Sequence, residues 1–130
     1  MMTVTLVEKV KFEAQCRGHK LIVDQPEEDG GTNAGMTPVE LFVASLGTCI
    51  GYFAAVFCQR RKISSAGMRI NLEWEWAEDP HRIGAINVSI RLPAKLDEKE
   101  KAGLMRMVEG CTVHNTIQNH PEVKMKLETP

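Results

Sequence analysis

The spacing of apolar and polar residues changes repeatedly along this chain, and each change marks an element. Met2, Val4, Leu6, Val10, Phe12 and Ala14 share one parity, the period of a half-buried strand. A turn near Arg17-Gly18-His19 separates it from a short second strand over 20–24, and the glycine- and proline-bearing stretch 25–36 is the longest loop. Thr37, Pro38 and Glu40 then spell a helix start: an N-cap, a first-turn proline, and a glutamate placed to close a capping box. The helix should end near Arg60, Arg61 and Lys62, whose charges suit its negative C-terminal end. Met68, Ile70, Leu72, Trp74 and Trp76 alternate with polar residues, as do Ile86, Val88, Ile90 and Leu92, and Asp79-Pro80-His81 joins the two as an antiparallel hairpin. Asp97 and Glu100 form a second capping box, opening an amphipathic helix that should bury Leu104, Met105 and Val108 and stop at Gly110. A short helix over 111–119 and a last strand carrying Val123, Met125 and Leu127 complete the pattern. With no internal repeat, low-complexity tract or linker, 1–130 reads as a single domain.

The run 41–57 has no polar face; Ser45, Gly47, Thr48, Cys49 and Gly51 are its only breaks. Such a helix is buried on every side or spans a membrane. Spanning takes about twenty apolar residues, and this run has seventeen, several of them small or polar. The surrounding amphipathic strands point to a soluble core helix. One small sheet covers only one side of a helix, so a second copy of the chain is the expected cover. Gly47 and Gly51 sit four apart on one face, where they would let two helices approach closely or fit a tight contact within the chain.

Composition narrows the classes. The chain is 43% apolar and 25% charged, with a net charge of -1, as in an ordinary globular protein. It shows no basic stripe for nucleic acid and no cationic amphipathic segment for a membrane surface. The charged, alternating N-terminal residues do not read as a signal peptide. Cys16, Cys49, Cys58 and Cys111 are too few and scattered for a secreted disulfide scaffold, so reduced thiols in the cytoplasm are expected.

Free cysteine is usually an inert, buried small hydrophobe, and Cys16 and Cys58 read that way. Cys111 follows Gly110 and should open a helix, where backbone N–H groups favour a thiolate. Cys49 lies three turns into its own helix, beyond the reach of the dipole; as a nucleophile it needs a cation such as Arg17. His114, three residues after Cys111, could pair with it as in a Cys–His hydrolase, although Asn115, the next residue, points elsewhere. Cys111, His114 and His120 have no recognised metal-ligand spacing, and neither metal nor cofactor is expected.

Two blocks carry a resemblance to a known family. One runs from Gly30-Gly31 through Thr37-Pro38-Val39-Glu40-Leu41-Phe42-Val43-Ala44-Ser45-Leu46-Gly47-Thr48-Cys49; the other is Cys111-Thr112-Val113-His114-Asn115-Thr116. In this order they resemble the OsmC/Ohr superfamily, the osmotically inducible and organic-hydroperoxide-resistance proteins. The resemblance implies an α+β fold, an intertwined homodimer whose antiparallel sheets wrap around a pair of long central helices, with the active site at the dimer interface. It also implies a thiol peroxidase acting on small organic hydroperoxides. Cys49 would be the peroxidatic thiolate, Cys111 the resolving thiol, Arg17 the cation beside them, and an external dithiol the reductant. Thr37 and Glu40 would be structural. Peroxidases of the family place a glutamate ten residues before the reactive cysteine; Val39 stands there, and Glu40, one residue on, is turned about 100° around the helix. A redox-sensing or apolar-ligand-binding module with little turnover is the alternative that this departure suggests.

Overall fold

The computed structural model describes residues 1–130, which form two compact units, Met1–Ala44 and Ser45–Pro130. The first holds an antiparallel sheet in the order β1 (Thr3–Glu8), β2 (Lys11–Cys16), β3 (His19–Val23). The stretch expected as one strand is therefore a hairpin. Lys9 turns the chain with φ 49°, and Val4 comes to lie opposite Ala14 and Leu6 opposite Phe12. The turn thus keeps the parity of the apolar residues, and with neither Gly nor Pro in it, periodicity reads straight through. The β2–β3 turn falls where expected, with Arg17 (φ 51°) and Gly18 (φ 79°) both left-handed, the backbone that suits a two-residue hairpin.

After β3 the buried Asp24 gathers the loop 25–36. Its carboxylate accepts hydrogen bonds from the Thr32 hydroxyl (2.7 Å) and the backbone N–H groups of Gln25 (2.8 Å), Thr32 (3.1 Å) and Ala34 (3.1 Å). Its own N–H reaches Met36 O at 3.2 Å, so the loop ends lie side by side. Gly31 packs so tightly on the Gln25 carbonyl that a Cβ there would overlap it. The capping box follows as expected: Glu40 N–H donates to Thr37 Oγ1 (3.2 Å), and Thr37 N–H donates to Glu40 Oε2 (2.9 Å). It opens α1 (Pro38–Arg61), which begins in the first unit and runs on through the second.

The second unit adds β4 (Arg69–Ala77), β5 (Arg82–Arg91), α2 (Glu98–Glu109) and α3 (Thr112–Gln118). β4 and β5 pair antiparallel, as the alternation predicts. Arg82 Nη1 ties their turn by donating to Glu78 O (2.9 Å) and Pro80 O (2.8 Å), and the His81 ring stacks on Trp76. The core gathers Leu46, Ile50, Ala54, Phe57 and Cys58 from α1, Leu104 and Val108 from α2, and Cys111. The capping box of α2 holds: Glu100 N–H donates to Asp97 Oδ1 (2.7 Å) and Asp97 N–H to Glu100 Oε1 (3.1 Å). The molecule is an α+β protein.

Three details depart from the sequence expectation. Met105 is exposed, and Met107 packs inward instead, because the stripe through Leu104 and Val108 runs on to position 107, three residues on from Leu104. Val123, Met125 and Leu127 form no strand and stand exposed, since β4–β5 does not extend to pair with them. Gly47 and Gly51 face the protein's own hairpin: a Cβ at 47 would lie 2.6 Å from Leu72 Cδ1, and one at 51 would lie 3.5 Å from Ile70 Cγ1. The tight contact within the chain is observed at Gly47, while Gly51 makes an ordinary one.

α1 is also less enclosed than its composition requires. Only 39% of its most apolar window is buried. Phe42, Ser45, Thr48, Tyr52, Ala55 and Gln59 are exposed at helical spacing, with Cys49 half-buried beside them.

Candidate active site

Cys49 and Cys111 come together in the second unit. α1 carries Cys49 to the edge of the core, half-buried and packed against it. Cys111 is 0% exposed and is the N-cap of α3, one residue earlier than a first-turn position. Its Sγ accepts the His114 N–H at 3.3 Å, and Cys49 packs against the core cluster that contains it. Gly110, the C-cap of α2, lets the chain pass from one helix into the next within a residue of this contact.

The electrostatics of Cys111 reverse one expectation. The backbone N–H groups of His114 and Val113 do favour its thiolate, but burial outweighs them and Cys49 beside it adds to the effect, so the thiol is pushed up from its ordinary value. Cys111 is thus held as a protonated thiol. Cys58, in the core, is likewise pushed up by burial and fits the inert reading, and Cys16 ends β2 half-buried.

The other candidates are distributed elsewhere. The His114 ring does not serve Cys111: Nδ1 meets Glu109 O at 2.7 Å and Nε2 meets Gln118 Nε2 at 3.4 Å. Asn115 Nδ2 donates to Gly110 O at 3.1 Å, so no Cys–His–Asn array forms. Glu40 is engaged in the cap with Thr37, and its neighbour Val39 has no acid to offer. Arg17 is exposed in the β2–β3 turn of the first unit, while both thiols belong to the second. Asp24, the most hydrogen-bonded carboxylate in the chain, is signalled in the sequence only by standing just ahead of a loop that carries three glycines, Thr32 and Asn33.

Chemically, one of these two thiols is open to solvent: a reagent meets Cys49 before the sealed Cys111.

Solved structures share the fold. A protein from Psychrobacter arcticus 273-4, named for osmotic stress induction and a detoxification response, superposes with a TM-score of 0.81 at 21% identity, covering 88% of this chain and 85% of that one. An OsmC-like protein from Mycoplasma pneumoniae gives 0.78 at 19% identity, over 92% and 87%. An organic hydroperoxide resistance protein OsmC from Legionella pneumophila gives 0.59 at 21% identity, over 91% and 88%. No curated protein matches this chain significantly. The family described as OsmC-like protein matches residues 30–126, a span that takes in the second half of the loop after Asp24, all of α1 and both thiols. The chain therefore belongs to the OsmC/Ohr superfamily.

Proposed function

We propose that this protein is a thiol-dependent peroxidase that reduces organic hydroperoxides through Cys49 and Cys111. The observation that carries the reading is the placement of a part-exposed Cys49 against the core that seals Cys111. The hydroperoxide resistance named for the Legionella pneumophila relative supports it. The Cys49 thiolate attacks one peroxide oxygen; the S–O bond forms, the O–O bond breaks, and the alkoxide takes a proton to leave as an alcohol. Cys111 then displaces hydroxide from the Cys49 sulfenic acid, which leaves as water, and a 49–111 disulfide forms. An external dithiol reduces it, so one hydroperoxide and one dithiol give an alcohol, water and a disulfide. No cofactor enters.

The working unit is a cytoplasmic homodimer of single OsmC-like domains, in which a second copy covers the exposed stripe of α1 beside Cys49. Arg17, carried over by the resemblance, supplies the cation for the thiolate and the peroxide oxygen. The test is dithiol-dependent consumption of cumene or tert-butyl hydroperoxide against hydrogen peroxide, with Cys49→Ser as control. Organic substrates should be consumed faster, and the variant should be inactive. Equal rates for Cys49→Ser and wild type would overturn the reading.

One observation favours a second reading. With Val39 at the family's glutamate position and Glu40 engaged in the helix cap, the site has one acid fewer than a family peroxidase. The same dimer would then act as a redox-sensing or apolar-ligand-binding module. Slow turnover together with an apolar molecule retained through purification would favour it.

A further inference from the structure

We propose that His114 and Asn115 are positioning residues: from the first turn of α3 their side chains clamp the α2–α3 corner, and this clamp keeps the Cys111 thiol sealed in the core. The inference deepens the proposed peroxidase and rests on that reading only for what the sealed thiol is kept for.

The corner is tight. A helix leaves its last carbonyls without intrahelical partners, and the residue after the C-cap of α2 is already the N-cap of α3. Backbone N–H groups satisfy two of these carbonyls: Gly110 donates to Met107 O at 3.3 Å and Cys111 to Val108 O at 3.2 Å. Side chains satisfy the next two, each reaching back five residues. His114 Nδ1 donates to Glu109 O at 2.7 Å, and Asn115 Nδ2 donates to Gly110 O at 3.1 Å. In the other direction the corner caps α3, with His114 N–H on Cys111 Sγ at 3.3 Å and Asn115 N–H on Cys111 O at 2.9 Å. Cys111 is thus held through its N–H, its carbonyl and its sulfur. The two carbonyls ahead of it are pinned by side chains that act on the backbone and never touch the sulfur.

Little else fixes α3. It has seven residues, too few to persist as an isolated helix. None of them is buried, and Val113 is its one apolar residue packed on the core. Yet Cys111, directly ahead of it, is 0% exposed, and the His114 N–H covers its sulfur on one side. Fraying of α3 uncovers that side, and the two side-chain bonds oppose fraying. In the proposed reaction a sealed Cys111 is out of reach of peroxide in solvent, so the clamp keeps the resolving thiol reduced for the Cys49 sulfenic acid. Cys58 supplies the comparison: it is equally buried in the same core, but it belongs to α1, which the corner bonds do not clamp.

The experiment reads local opening at Cys111 against opening of the whole core at Cys58. In a Cys49→Ser parent, so that no adduct at 49 alters access, iodoacetamide labelling at neutral pH is followed by mass spectrometry of the two cysteine peptides. His114→Ala and Asn115→Asp each remove one donor, and position 115 is exposed, so the carboxylate is tolerated there. His114→Asn restores an amide N–H as many bonds from the backbone as Nδ1. Loss of one hydrogen bond of ordinary net strength raises a local opening constant about fivefold. We expect that acceleration at Cys111 in His114→Ala and Asn115→Asp, a rate near that of the parent in His114→Asn, and no change at Cys58 in any of them. Parent rates at Cys111 in both donor-free variants would overturn the inference. Equal acceleration at Cys111 and Cys58 would overturn it too, because the whole core has then loosened, and so would His114→Asn labelled as fast as His114→Ala. Labelling needs no peroxide, so a protein inert to hydroperoxide leaves these rates intact and overturns only the peroxidase reading.

Discussion

Asp24 shows how one side chain organises a loop. The Thr32 hydroxyl, aided by the N–H groups of Gln25, Ala34 and Thr32, holds its carboxyl well below the ordinary value of 3.8 against the opposing effect of burial. A carboxylate whose folded value is lowered stabilises the protein above the ordinary value, and that contribution is lost as pH falls towards the folded one. Asp24→Ala should therefore lower the melting temperature at pH 7 by several degrees, with the gap to wild type narrowing once the pH drops below about 4. Thermal unfolding across pH 7 to 3 checks both the loss and its direction; a gap that is constant with pH would mean the carboxylate charge is not what holds the loop. Glu40 differs in kind. It is exposed and its bonds are those of a capping box, so Glu40→Gln should cost about 1 kcal/mol or less and leave the peroxidase rate near wild type. A large rate loss at unchanged melting temperature would instead give Glu40 the part of the missing acid. For Arg17, proposed as the cation, Arg17→Ala should slow alkylation of Cys49 at neutral pH; an unchanged rate would remove it from the mechanism.

Among the elements, α1 and the hairpin show how glycine can serve close packing. Gly47 lies under Leu72 and Gly51 near Ile70, with room for a methyl group only at the second. Gly51→Ala should raise stability by about 0.5–1 kcal/mol through helix propensity alone. Gly47→Ala should lower it, because displacing a packed leucine costs about 1–3 kcal/mol and outweighs the same gain. Chemical denaturation of both variants tests the opposite signs. These elements also show what was legible from sequence. Capping boxes at Thr37/Glu40 and Asp97/Glu100 and the strict alternation around Asp79-Pro80 are local signals, and the structure follows them. The β1–β2 turn was hidden because it preserves parity, and the face of α2 was misjudged by one residue at Met105. At the candidate site, the sequence singles out Cys49 and Cys111 but not their surroundings. Nothing local to Cys111 announces that burial would outweigh its helix N–H groups, or that the His114 ring would turn to Glu109 O.

For the molecule as a whole, the unresolved balance is apolar surface. Tyr52 is 63% exposed in the middle of the α1 stripe, with Phe42 exposed a few turns away. Val4, Leu6, Phe12 and Leu21 stand exposed in the first sheet, paired across strands as Val4–Ala14–Leu21 and Leu6–Phe12. Burying such a side chain is worth about 1.5–3 kcal/mol, so leaving these surfaces in water forgoes stability that a second copy would recover. The exposed alternation of Val123, Met125 and Leu127 belongs to the same account, since a strand pattern forms a strand only where it finds an edge. The protein should therefore run at twice its chain mass of 14.5 kDa in light-scattering-coupled sizing at micromolar concentration. Tyr52→Glu should shift it towards monomer, because a carboxylate at the centre of an apolar interface is buried without a partner. Residues 122–128 should then exchange their amides faster than in the wild-type dimer. A wild type that elutes as a clean monomer would sink the intertwined assembly, and a dimer indifferent to Tyr52→Glu would place the interface away from α1.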